Sequence, residues 1–127
     1  MQTWQITITT SVDGVETQIT RKGEVEVAPS LVRVCYREEN CVVSLFLKEE
    51  QAKMQRQGDY QLSLHLKTNE RTTGRLGIGG SQGEILVDTH KINYTAGKNS
   101  VLIALHYDLI MGGEKQEMRL KIQAKTV

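Results

Sequence analysis

The chain is poor in the residues that usually announce a special class of protein. It has one proline, two cysteines, one tryptophan, four tyrosines and one phenylalanine among 127 residues. Two cysteines, Cys35 and Cys41, cannot build a disulfide framework. The lone Pro29 and the absence of any low-complexity tract leave no sign of a linker, so residues 1–127 are read as one domain. No stretch approaches the ~20 apolar residues of a membrane helix. Met1-Gln2-Thr3-Trp4 opens the chain with no basic segment before an apolar run, so no signal peptide is visible. A cytoplasmic protein with reduced thiols is the expectation. The net charge of +1 gives no global reason to seek nucleic acid, an anionic membrane or acidic substrates.

What is present is alternation. Apolar residues recur at every second position in segment after segment, which is the period of a strand with one face on a core. Trp4, Ile6, Ile8 and Val12 share one face of a first strand, and Asp13-Gly14 is a hairpin turn. A second strand runs over about Val15 to Val27, with Gly23 read as a bulge or bend, and Pro29 ends it. Leu31 to Arg37 and Cys41 to Lys48 follow; the latter is apolar on both faces and is expected to carry cover from another element. Lys48 to Gln57 is the only helix candidate by propensity; it lacks an apolar stripe, and its second half reads as a short strand.

The cleanest alternation is Tyr60, Leu62, Leu64 and Leu66 against Gln61, Ser63, His65 and Lys67. Arg71 to Ile78 is a weaker strand, and Glu84 to Tyr94 is one long bent strand or two short ones. Ser100 to Met111 places Val101, Ile103, Leu105, Tyr107 and Leu109 on one face, and Met118, Leu120 and Ile122 mark the last strand. Consecutive hairpins imply an antiparallel meander, and a meander this long must close or stack to hide its edges. The pattern predicts an all-β fold: a single antiparallel up-and-down β-barrel of about 8–10 strands.

Five segments together resemble a known family. Thr20-Arg21-Lys22-Gly23, Val34-Cys35-Tyr36-Arg37-Glu38-Glu39, Arg56-Gln57-Gly58, Gly83-Glu84-Ile85-Leu86-Val87-Asp88-Thr89 and Tyr107-Asp108-Leu109 are similar, in order and spacing, to the YwiB-like family. Its members are small bacterial proteins of uncharacterised function with a lipocalin-like (calycin) barrel. The resemblance implies that fold and a cytoplasmic address, and no activity.

Chemical motifs are few. The glycines Gly74, Gly77, Gly79, Gly80 and Gly83 do not open a helix, and Gln82 stands where a dinucleotide fingerprint needs its third glycine. His65, His90 and His106 lie on different strands, and no spacing forces three ligands to converge on a metal. The strongest cluster is His106 with Asp108, two apart on one strand face, joined by Asp88 or His90 from the preceding strand. These two are expected on the outer face or rim. Cys35 and Cys41 flank a hairpin and are expected to be free thiols able to face each other across it. No nucleophile elbow is present, so no enzyme, cofactor or metal is expected.

Two functions remain open at this level. One is a binder of a small apolar ligand in the barrel interior, lined by Tyr60, Leu62, Leu64, Leu66, Ile103, Leu105 and Tyr107. The other is a protein-interaction or structural module with a filled interior. A single-stranded nucleic-acid module is the alternative; it lacks aromatic stacking faces interleaved with basic residues. An enzyme ranks below that. Monomer and homodimer are both compatible with the sequence.

Overall fold

A computed structural model describes residues 3–127. Ten strands follow one another: β1 (Trp4–Val12), β2 (Val15–Ala28), β3 (Leu31–Glu38), β4 (Cys41–Lys48), β5 (Gln51–Gly58), β6 (Tyr60–Lys67), β7 (Arg71–Ile78), β8 (Ser81–Ala96), β9 (Ser100–Met111) and β10 (Glu114–Thr126). Each pairs antiparallel with its sequence neighbour, and β1 pairs with β10 to close the barrel. The helix candidate is instead the Glu49-Glu50 turn followed by strand β5, because Ala52 and Met54 at alternate positions join the core while Gln51, Lys53 and Gln55 face water.

Turn chemistry sets the register. Asp13 and Gly14 take φ of 49° and 87°, the paired positive values of a type I′ turn. Val12 and Val15 are therefore directly paired, and Ile6 stands opposite Arg21, Ile8 opposite Ile19. Gly23 is no bulge: it pairs with Trp4 on one side and Tyr36 on the other without a register shift. It is a point of close approach, since a Cβ there would lie 2.3 Å from the Cys35 carbonyl oxygen and 2.7 Å from Ile6 Cδ1. A true register shift falls elsewhere, between Thr89 and Lys91 of β8, and makes His90 the extra residue of a β-bulge.

The interior is packed. A void able to hold even one water leaves accessible area on the side chains around it, yet Ile6, Val34, Leu47, Leu66, Val87, Ile103 and Ala124 have none. Of the residues expected to line a ligand cavity, Leu64, Leu66, Ile103, Leu105 and Tyr107 are buried core, as is Val101. Tyr60 and Leu62 are half-buried at one mouth. Gln61 and Ser63 point outward, so the alternation in β6 has the expected phase. The outer face of β4 is covered by no further element. Phe46 is half-buried between its cross-strand neighbours Arg33 and Lys53, and Val42 between Arg37 and Gln57.

Candidate functional site

Strand ends bring charge onto the interior face at one mouth only. In β2 the inward parity runs Val25, Gly23, Arg21, Ile19; in β3 it runs Val34, Tyr36, Glu38; in β5 it runs Ala52, Met54, Arg56. Arg21 faces Ile6, Arg56 faces Val43 and Leu62, and Glu38 faces Cys41. Three ionic side chains thus sit directly above the apolar core. With Ile19, Glu39, Asn40, Cys41, Asp59 and Tyr60 they line a half-open cup of about 280 Å³, which holds two guanidiniums and three carboxylates.

The cup is organised around Arg56. Its Nη2 donates to Glu38 Oε2, and its guanidinium lies 5.3 Å from the Tyr60 ring centroid in a cation–π contact. Burial works against the Arg56 charge, but the hydrogen bond it donates to Glu38 outweighs it and holds the guanidinium pKa above its ordinary value. Arg56 Nε is buried and has no acceptor among the described residues. Cys41 Sγ donates to Glu38 at 3.9 Å. Beneath the cup, burial and then the Glu38 carboxylate push the Tyr36 phenol above its usual range. Burial alone pushes Tyr107 up to about 12. Arg21 has no carboxylate partner among the described residues; its Nη1 donates to the Thr20 carbonyl at 2.9 Å.

A second polar cluster lies on the outer face of β8 and β9. The bulge turns His90 so that its Nε2 donates to Asp108 Oδ2 at 2.6 Å, while Lys115 Nζ approaches the same oxygen at 3.3 Å. Asp108 is only 3% exposed although it faces outward. Burial would raise its pKa, but the hydrogen bonds from His90 and Lys115 prevail and hold it below the usual carboxylate range. The His106 ring stands 4.8 Å from that of His90 and donates to Glu117 at 3.2 Å. Arg71 grips Asp88 through two bonds of 2.7 and 2.8 Å. Asp88 stands directly across from Asp108 but is held by Arg71, and His90 supplies the hydrogen bond to Asp108. Among the described residues no three His, Cys, Asp or Glu side chains converge in a metal-binding group.

The two cysteines do not face each other. Cys35 pairs across the hairpin with Ser44, whose hydroxyl contacts it at 3.7 Å, and points outward; Cys41 points into the cup. Both are free. His65 sits on the outer face against Gln51 at 3.1 Å. No motif marks the cup in the sequence. The signal was parity: Arg21, Glu38 and Arg56 each occupy the interior phase of a strand, where a charge is costly unless it is paired or near an opening.

Comparison with known proteins fits this architecture. The structure titled "Crystal structure of ywiB protein from Bacillus subtilis" superposes with a TM-score of 0.86 at 16% identity, covering 99% of this chain and 92% of that one. At that identity the likeness speaks for the barrel alone. No curated protein is similar to the chain above background. The sequence matches the family described as a domain of unknown function, DUF1934, over residues 1–122, and the chain therefore belongs to that YwiB-like family.

Proposed function

We propose that this protein is a non-enzymatic binding module of the cytoplasm whose recognition site is the charged cup at the barrel mouth. Its ligand carries an oxyanion, a carboxylate or a phosphate. One observation carries this reading: two guanidiniums, Arg21 and Arg56, stand at one opening above a sealed apolar core. Among the described residues Arg21 has no carboxylate partner, and Arg56, though paired with Glu38, keeps a buried Nε without an acceptor. A planar guanidinium offers a fork of donors matched to two oxygens, so such a pair selects oxyanions. The packed interior argues against a guest deep in the barrel and favours the mouth. The His90–Asp108 pair is tied to Lys115 on the outer face of the barrel, away from the cup, which supports a structural part for it.

Titration with acetate, butyrate and inorganic phosphate, read from arginine Nε–Hε NMR signals, tests the proposal. Saturable shifts at Arg21 and Arg56, lost in Arg56→Gln, are expected. Shifts spread evenly over all arginines, or none, would overturn it. Stoichiometric uptake of a long-chain alcohol, with a change in the emission of the buried Trp4, would return the ligand to the interior.

A further inference from the structure

The cup adjoins an unpaired strand edge. Residues Val15–Lys22 of β2 pair with β1 only; β3 joins β2 at Gly23 and runs alongside it to Ala28. Because Val12 and Val15 flank a two-residue turn, the odd residues of this stretch bond to β1. The even residues Glu16, Gln18 and Thr20 direct their N–H and C=O groups to the free side, with the Thr20 carbonyl accepting from Arg21, while Lys22 stands where β3 begins to meet β2. Arg21 confirms the geometry: its Nη1 donates to the Thr20 carbonyl, so its guanidinium hangs over that edge. Ile19 and Arg21 belong at once to the edge strand and to the cup lining.

An unpaired edge accepts an added strand, and main-chain hydrogen bonds then supply sequence-tolerant affinity. Here the added strand cannot run on. One strand spacing from β2, at the level of Gly23, the place is taken by Tyr36 of β3. A segment lying along Glu16–Lys22 must therefore stop at that level, beside Arg21 and the mouth of the cup. At that level the chain end meets Arg21, which among the described residues has no carboxylate partner, whereas Arg56 is paired with Glu38; an end beside Arg21 presents a terminal carboxylate rather than an ammonium. We propose that the cup captures the free C-terminus of an extended peptide, which lies along the edge of β2, parallel to it, with its terminal carboxylate between Arg21 and Arg56. This rests on the oxyanion reading of the cup and names the ligand's chemistry.

The interface is short, about one strand of four to six residues, so the affinity is modest and mostly determined at the last few positions. An internal segment bearing an acidic side chain would meet β3 and is disfavoured.

An array of random hexapeptides, synthesised in pairs with a free C-terminal carboxylate or as the amide, tests this with the full-length protein. Binding is expected on free-carboxylate peptides rich in β-branched residues, with a loss of tenfold or more in each amide twin. Gln18→Pro removes an edge N–H that does not serve the β1 ladder, and Arg21→Gln removes the charge. Each should lower binding at least tenfold while leaving the circular-dichroism melt unchanged. Amide twins that bind equally, full binding by folded Gln18→Pro, or no peptide bound at all would each refute the proposal. The acetate titration separates the two levels. If acetate shifts Arg21 and Arg56 but no peptide binds, the cup stands and the peptide falls; if neither registers, both fall.

Discussion

Truncating Leu66 to alanine probes whether the barrel is sealed, on which the placement of the site depends. Leu66 has no accessible surface. Its neighbours across the β5–β6 ladder include Ala52, itself 1% exposed, so the surroundings offer little slack to collapse. Removing three carbons forfeits about 2.4 kcal/mol at ~0.8 kcal/mol per buried methylene. The cavity left behind adds to that, so a total of about 3–5 kcal/mol is expected. For a domain of this size a loss of about 3 kcal/mol lowers Tm by roughly 10 °C. Urea unfolding followed by Trp4, the only tryptophan and 4% exposed, reads the change directly. Gln61→Ala, one strand phase away on the outer face, is the control and should stay within about 0.5 kcal/mol. A Leu66→Ala loss below about 1 kcal/mol would refute a close-packed interior and reopen the barrel to an internal ligand.

Other expectations follow from the same geometry. Gly58→Ala should lower Tm sharply or prevent folding, because its Cβ would stand 1.9 Å from the Asn40 carbonyl oxygen and 2.6 Å from Cys41 Cα. Asp108, held below the ordinary carboxylate range, contributes stability that is present above its unfolded pKa of ~3.9 and is lost as pH falls through its lower folded value. The difference in Tm between the wild type and Asp108→Asn should therefore shrink between about pH 4 and pH 2, and a constant difference would count against the ion-paired carboxylate. Tyr107, pushed up to about 12, should not ionise before the barrel unfolds, so stability falls as pH rises above ~10, and Tyr107→Phe should lessen that alkaline loss. Thiol-trapping mass spectrometry should find both cysteines reduced and no Cys35–Cys41 bridge, since the two point to opposite faces of their hairpin.

Period-2 alternation carried most of the fold. Tyr60, Leu62, Leu64 and Leu66 announced β6 with its phase because their partners are polar, and a one-residue slip would have exposed all four. Where the pattern blurred, the physical cause is visible. Gln51–Gly58 carries long polar side chains on one face and small or flexible ones, Ala52 and Met54, on the other, so its contrast is weak. Gly23 suggested a bulge, yet its role is the near-contact of β2 with Cys35 and Ile6, a tertiary fact with no local signature. The bulge at His90 depends on how β9 meets β8, and Thr89-His90-Lys91 taken alone looks continuous. The cup was legible in principle, since Arg21, Glu38 and Arg56 break the apolar rule at interior phase. Seeing it required the cross-strand registers that bring three distant strand ends to one mouth.

Strands β2 and β8 both run past what one neighbour covers, and the contrast between them explains why the site lies where it does. β2 spends Val15–Gly23 on β1 and Gly23–Ala28 on β3, leaving an overhang on one side. β8 does the same: it pairs with β7 over Ser81–Asp88 and with β9 over Leu86–Ala96. The origin is common, the stagger that closes a barrel of tilted strands. The chemistry differs. At the β8 overhang the turn before β7 folds in, with Asn69 N donating to Thr89 O at 2.9 Å and Thr89 N to Glu70 O at 3.3 Å. Its inward residues Ile92 and Tyr94 pack on the core. That overhang is capped at its start and apolar on its inward face, which serves stability. At the β2 overhang the inward residues are Ile19 and Arg21, opposite Glu38 and Arg56 across an open mouth. Arg21, without a carboxylate partner among the described residues, contributes nothing to folding above a hydrophobic core that leucine would not supply better. Replacing Arg21 with leucine should then leave stability unchanged or raise it, measured by urea unfolding, while abolishing oxyanion binding. A clear loss of stability in that variant would mean that Arg21 holds the barrel together instead of serving a ligand.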